Sequence, residues 1–159
     1  MQIHIIAIGD RMPEWVETGY KEYAKRLPRE CRLVLHEIPA GRRTKGADLR
    51  RVVEQEGARQ LDAIPTGARV VALDRVGKQL DTEALAEELK RRLAGSENLA
   101  LLVGGPEGLA PACLERANER WALSKLTLAH PVVRVVLAEQ LYRAWSIINN
   151  HPYHRGDAG

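Results

Sequence analysis

An apolar run, Leu101-Leu102-Val103, passes directly into Gly104-Gly105-Pro106-Glu107-Gly108. Glycines without a Cβ let a ligand approach the main chain, whose amides then act as donors. The competing reading is a tight turn that needs positive φ. The pattern is neither GxGxxG nor GxxxxGK[ST], which excludes a dinucleotide fingerprint and a P-loop. Residues 121–128 (WALSKLTL) set Ser124 and Thr127 into a mostly apolar stretch. They read as a fifth strand, and their backbone could meet the edge of an adenine. Residues 70–74 (VVALD) end another apolar run on an acid.

Nearer the C-terminus, Glu139 and Arg143 stand four residues apart on a helical pattern, where they can pair. His151-Pro152-Tyr153-His154-Arg155 follows. An aromatic face, a guanidinium and an imidazole together suit a nucleotide, although a frayed terminus is the plainer reading. His130 lies just beyond the 121–128 run and either touches substrate or caps the next helix. Arg42, Arg43 and Lys45, with Arg50 and Arg51 close behind and only Asp48 opposing, form a local basic patch. It is either a solvated loop or a set of RNA phosphate contacts.

The elements that must position these groups alternate along the chain. Residues 2–8 are apolar and Ile-rich, a buried strand stopped by Gly9. Pro13 opens a helix to about Leu27, with acids early and bases late. Strands follow at 31–38, 69–74 and 99–103, and the 39–46 segment is a loop. Residues 47–64 predict an amphipathic helix with Leu49, Val52, Val53 and Leu61 on its apolar side. Asp81 caps a helix to Gly95, a short helix covers 111–120, and a last one covers 131–150. Alternation of this kind predicts an α/β domain with a mostly parallel sheet and helices on both faces, spanning 1–159 as one unit. Ligands of such sheets sit at the carboxyl ends of strands, here at Leu73-Asp74, Gly104-Gly105 and Leu128-Ala129. The last helix is apolar in nearly every direction, which a chain this small buries most readily against a second copy.

Composition narrows the classes further. Hydrophobic residues make up 45% of the chain and the net charge is +3, which permits a core without staples and tolerates an RNA partner without demanding one. Cys31 and Cys113 are far apart, with no CxxC or Cys/His spacing, so reduced thiols in a cytoplasmic protein are expected and a metal site is not. No apolar stretch approaches the ~18 residues of a membrane span, and the N-terminus reads as a strand and not as a signal peptide. A flavodoxin-like mononucleotide protein fits poorly, because Gly9-Asp10-Arg11 is a weak phosphate cradle.

Taken together, MPEWVETGYKEY at 12–23, EIPAGRR at 37–43, GGPEGL at 104–109 and WALSKLTLAHPVVRVVLAEQLYRAWSIINNHPYHR at 121–155 resemble the family of ribosomal large-subunit pseudouridine N3-methyltransferases of the SPOUT class. The resemblance covers essentially the whole chain. It implies an α/β fold whose C-terminal part forms a deep trefoil knot, and a bent S-adenosylmethionine held by the knot. Carried over by position, the cofactor contacts are Leu73, Gly104 with Gly105, and Leu123, Ser124, Lys125, Leu126, Thr127 and Leu128. It also implies a homodimer with a site built from both subunits, acting on 23S ribosomal RNA in assembled ribosomes. A non-catalytic ribosome-binding module on the same fold is the alternative. Family members stop at or just after HPYHR, whereas Gly156-Asp157-Ala158-Gly159 follows here.

Such a reaction uses a methyl group already activated by a sulfonium and needs no metal. The protein must align the reactants and help remove the N3 proton, since each pKa unit of mismatch costs about 1.4 kcal/mol. Within the resemblance, Arg143 or Arg155 stabilises the developing anion, and His130, Glu139 or His154 accepts or relays the proton. Tyr153 positions the base, and Arg42, Arg43 and Lys45 hold the RNA.

Overall fold

The computed structural model describes residues 1–156; the part of the added tail formed by Asp157, Ala158 and Gly159 lies outside them. Five parallel strands form one sheet in the order β2-β1-β4-β3-β5. In chain order the elements are β1 (Gln2–Ile8), α1 (Glu14–Ala24), β2 (Arg32–Ile38), α2 (Leu49–Asp62), β3 (Arg69–Gln79), α3 (Thr82–Ala94), β4 (Leu99–Val103), α4 (Pro111–Arg116), β5 (Glu119–Ala122) and α5 (His130–Ile148). β1 runs in register with β2 from Gln2↔Arg32 and with β4 from Ile3↔Leu99, so residues 3–7 are paired on both edges.

The period of two divides β1 between the faces. Ile3, Ile5 and Ala7 pack with Tyr20 of α1, Leu89 of α3 and Leu137 and Leu141 of α5. Ile6 and Ile8 pack against Ala110 and Cys113 beside α4, with Val53 and Leu61 of α2 at the edge. Helices α1, α3 and α5 therefore cover one face and α2 and α4 the other. No helix among the described residues is long and apolar enough to cross a membrane, and no three His, Cys, Asp or Glu side chains cluster as a metal site.

Several expected elements are corrected. Of the apolar side expected of α2, Val52, Val53 and Leu61 are half-buried, with Val53 and Leu61 against the core. Leu49 is exposed, and the fully buried positions are Glu56, Gly57 and Gln60. A Cβ on Gly57 would sit 2.4 Å from Ala110 Cβ, so glycine lets α4 pack directly on α2. Gln60 Nε2 donates to the carbonyls of Ile6 and Val103, both at 3.0 Å. Helix α4 stops at Arg116, short of the expected 120, because Asn118 engages β3 twice. Its N–H donates to Val70 O and its Oδ1 accepts from Val70 N–H, each at 2.8 Å.

The fifth strand is not residues 121–128 but Glu119–Ala122. β3 is correspondingly longer than 69–74. Leu73 and Lys78 both align with Trp121, so residues 74–77 bulge out between them. Gly77 permits this, because a Cβ there would fall 2.7–2.8 Å from the main chain of Arg120 and Trp121. Residues 123–128 are thereby released from the sheet, and Ser124 Oγ accepts from Leu126 N–H at 2.9 Å to turn them.

Candidate active site

The bulge of β3, the end of β4 and the segment after β5 converge on one cavity of about 450 Å³, within the range typical of small-molecule sites. Leu73, Asp74 and Arg75 come from β3, Val103 to Leu109 from β4 and the turn beyond it, and Leu123, Ser124, Leu126, Thr127 and Leu128 from the released segment. His130 and Val133 of α5 complete the lining. Of the positions expected to meet a cofactor, Lys125 alone is absent from the wall; its side chain is exposed. Asp74 and Glu107, from two of the segments singled out in the sequence, line it as well, and Arg75, Leu109 and Val133 join the wall without having been expected there. Each neighbours a named position or lies one helical turn from His130, which is the signal that could have found them.

The glycines after β4 serve the turn more than an open backbone. Gly108 N–H donates to Gly105 O at 3.0 Å, closing Gly105-Pro106-Glu107-Gly108, with Gly108 at φ +87°. That arrangement places proline second and glycine fourth, as such turns favour. A Cβ on Gly104 would meet the main chain of Gly108 and Leu109 at 2.5–2.7 Å, and a Cβ on Gly105 would come within 3.3 Å of Arg43 Nη2.

Arg43 does not offer its charge to solvent as an RNA contact. Its Nε donates to Glu107 Oε2 at 3.0 Å and its Nη2 to Glu107 Oε1 at 2.7 Å. Nη1 and Nη2 donate to Glu56 at 2.8 and 2.9 Å, and Nη1 also to Gly41 O at 3.0 Å. Every N–H of the guanidinium is taken. The hydrogen bonds from Arg43 hold the Glu107 carboxyl below its usual range. Arg42 and Lys45, the other two basic residues of the patch, are exposed.

His130 is the only expected catalytic group in the cavity. Burial, followed by the Arg134 and Arg43 charges, lowers its pKa below the ordinary value, so the ring is neutral near pH 7. Its Nδ1 is buried without a hydrogen-bond partner in the protein. One turn later Arg134, 1% exposed, donates to Gly9 O at 2.7 Å, Ile8 O at 3.1 Å and Glu37 at 2.7 Å. These bonds fix the start of α5 over the end of β1. Arg134 was not among the expected site residues; its spacing of four from His130 is the one clue to it in the sequence.

The remaining expected catalytic residues gather elsewhere. Arg143 stands thirteen residues beyond His130, about 20 Å along the helix at 1.5 Å per residue. Tyr153 is buried, not frayed: its hydroxyl donates to Glu139 Oε2 at 2.6 Å, and its ring stacks under Arg143 at 4.8 Å. Glu139 also accepts from Arg143 at 2.9 Å and from Gln140 at 2.7 Å. Burial opposes its charge, yet these bonds together hold its pKa down, while burial and Glu139 push the Tyr153 phenol up. His154 lies near Ser146 Oγ at 3.4 Å, and exposed Arg155 donates to Asn150 at 2.8 Å. None of Glu139, Arg143, Tyr153, His154 and Arg155 lines the cavity of its own chain.

A family described as "Predicted SPOUT methyltransferase" matches residues 1–154. "Ribosomal RNA large subunit methyltransferase H" of Methylococcus capsulatus is 54% identical over 155 residues, 98% of this chain and 100% of that protein. The protein of the same description from Thioalkalivibrio sulfidiphilus is 57% identical, covering 98% and 99%. A solved structure described as "Structural insights into the 2-OH methylation of C/U34 on tRNA" superposes with a TM-score of 0.54 at 21% identity, covering 91% of this chain and 97% of that one. At that identity the likeness extends to the fold.

Proposed function

Because the chain belongs to the SPOUT methyltransferase family, we propose that it transfers a methyl group from S-adenosylmethionine to large-subunit ribosomal RNA, at N3 of a pseudouridine in assembled ribosomes. The observation that carries this is the cavity built from the bulge of β3, the end of β4 and the segment that leaves β5. The fit to the cofactor is chemical as well as volumetric. Leu73, Leu109, Leu123 and Leu128 supply apolar walls for an adenosine, and Asp74 and Glu107 supply negative charge for a cationic ligand. Residues 123–128 pair with no strand among the described residues, so their main chain, apart from the Leu126 N–H held by Ser124, can read a base edge. The knotted threading implied by the resemblance belongs to this same reading.

When bound, the cofactor supplies a methyl group already activated by its sulfonium. The protein then has two tasks: holding the reactants in line and handling the N3 proton. His130 is the candidate acceptor in the cavity, being neutral with its buried Nδ1 unpaired. A positioned base contributes roughly 10²- to 10⁴-fold. Arg143 is committed to Glu139, which leaves Arg155 and His154 as the groups able to reach a substrate. They point to a second copy of the chain, since their own cavity is far along α5. A homodimer is therefore part of the proposal. It is supported by Val132, Val136 and Ile147, which stay only half-buried in the single chain. A ribosomal substrate places the protein in the cytoplasm.

Mass spectrometry of 23S RNA from cells with and without the protein tests the activity. Loss of one N-methylated pseudouridine in its absence is expected; an unchanged modification profile refutes it. His130→Ala is expected to lower kcat at least a hundredfold while the calorimetric Kd for S-adenosylmethionine stays within a few-fold. Unchanged turnover removes His130 from the chemistry.

A further inference from the structure

Resting on the cofactor reading above, we propose that Arg43 is a positioning residue for the cofactor cavity, clamping Glu107 in its wall to Glu56 on α2. Charge and geometry both exclude the simpler role of a phosphate contact. One guanidinium faces two carboxylates, so the cluster is net negative and repels a phosphate. Its donors are all engaged, with forked contacts to both acids, the geometry for which arginine is suited.

The clamp is built in from both sides. Glu56 is only 3% exposed and also accepts from Gly41 N–H at 2.8 Å; without Arg43 it would be a buried charge lacking its cation. On the other side, the lack of a Cβ on Gly105 makes room for the guanidinium, which would otherwise meet it at 3.3 Å. Glu107 occupies the turn closed by Gly105 and Gly108, whose residues line the cavity. Holding Glu107 therefore holds that turn. A patch that reads as uniformly basic in sequence thus divides its labour. Arg42 and Lys45 face solvent, and Arg43 faces inward to shape a site formed some sixty residues later in the chain.

The test compares Arg43→Ala, Arg43→Lys, Glu107→Gln and Arg42→Ala in the full-length protein, by calorimetry with S-adenosylmethionine and by amide exchange of residues 104–109 without ligand. Glu107→Gln retains the Arg43–Glu56 pair and so guards against a variant that fails to fold. Arg43→Ala and Glu107→Gln are expected to weaken cofactor binding roughly tenfold or more and to speed exchange across the turn. Arg43→Lys should restore part of the affinity, and Arg42→Ala should change neither readout. A purely structural arginine would lower the melting temperature while leaving the Kd unmoved. An RNA-binding arginine would reduce the salt slope of ribosome binding by about one and spare the cofactor. Either result overturns the proposal, as does a turn whose exchange is unaltered in both Arg43→Ala and Glu107→Gln. If the wild type fails to bind S-adenosylmethionine, the cofactor reading falls, and exchange in the ligand-free protein still decides whether the clamp exists.

Discussion

Gly104→Ala offers a sharp probe of the cavity wall. The new methyl group would meet Gly108 C at 2.5 Å, Gly108 O at 2.7 Å and Leu109 N at 2.7 Å, all main-chain atoms with no rotamer to yield. Reaching an ordinary contact of 3.4 Å requires the 108–109 peptide to retreat by about 0.9 Å. Overpacking of this kind costs about 1–3 kcal/mol. For a domain of this size each kcal/mol lowers Tm by roughly 2–4 °C, so a fall of roughly 2–12 °C is expected in calorimetry. Gly108 and Leu109 also line the cavity, so the displaced peptide should reduce affinity for S-adenosylhomocysteine, by about tenfold for each 1.4 kcal/mol not relieved on binding. Gly108→Asn is the control. Gly108 has φ +87°, but a Cβ there would have no atom within 4 Å, and asparagine tolerates that backbone region better than most residues. Its cost should be the smaller of the two. If Gly104→Ala melts within about 1 °C of wild type and binds within twofold, the wall is not set by this contact and the reasoning fails.

Two further outcomes follow from the polar clusters. Tyr153→Phe removes the 2.6 Å bond to Glu139. Loss of about 1.5–3 kcal/mol, together with faster proteolysis of residues 151–155, is expected in denaturant titration and limited digestion; an unchanged midpoint would show the tail is held otherwise. His4 is 6% exposed and shares a 2.8 Å contact with His36. Burial first, then His36, lowers its pKa below 6.5. The unfolded chain therefore binds that proton at higher pH, so the stability contribution is complete above about 6.5 and is lost as pH falls through the folded value. Thermal melts from pH 7 down to 5 should decline, with a shallower decline in His4→Gln; equal slopes would refute the assignment.

Chain alternation points to strand ends for ligands, and Gly104 directly follows the end of β4. Leu73 and Leu128 also line the cavity, but Leu73 lies within β3 where it bulges and Leu128 lies six residues past β5. Hydrophobic pattern misled at α2, where Leu49 is exposed while Gln60 is buried: two strand carbonyls need its amide, and periodicity carries no record of that need. Residues 121–128 have the composition of a strand, but the bulge in β3 leaves register only as far as Ala122. The charge of Arg43 was visible, whereas its acids come from two distant elements that only the folded chain assembles. Tyr153 looked like part of a loose end because nothing in HPYHR announces Glu139 as its acceptor.

Arg134 ties the last helix to the carbonyls of Ile8 and Gly9 across 126 and 125 residues of chain. On a ribosome making about 5–20 residues per second, the first strand emerges roughly 6–25 s before the guanidinium that seals its end. Through that interval the strand has neither its polar tether nor its α5 packing. Synthesis order thus makes the arrival of the final helix the step that completes the cover of the first strand.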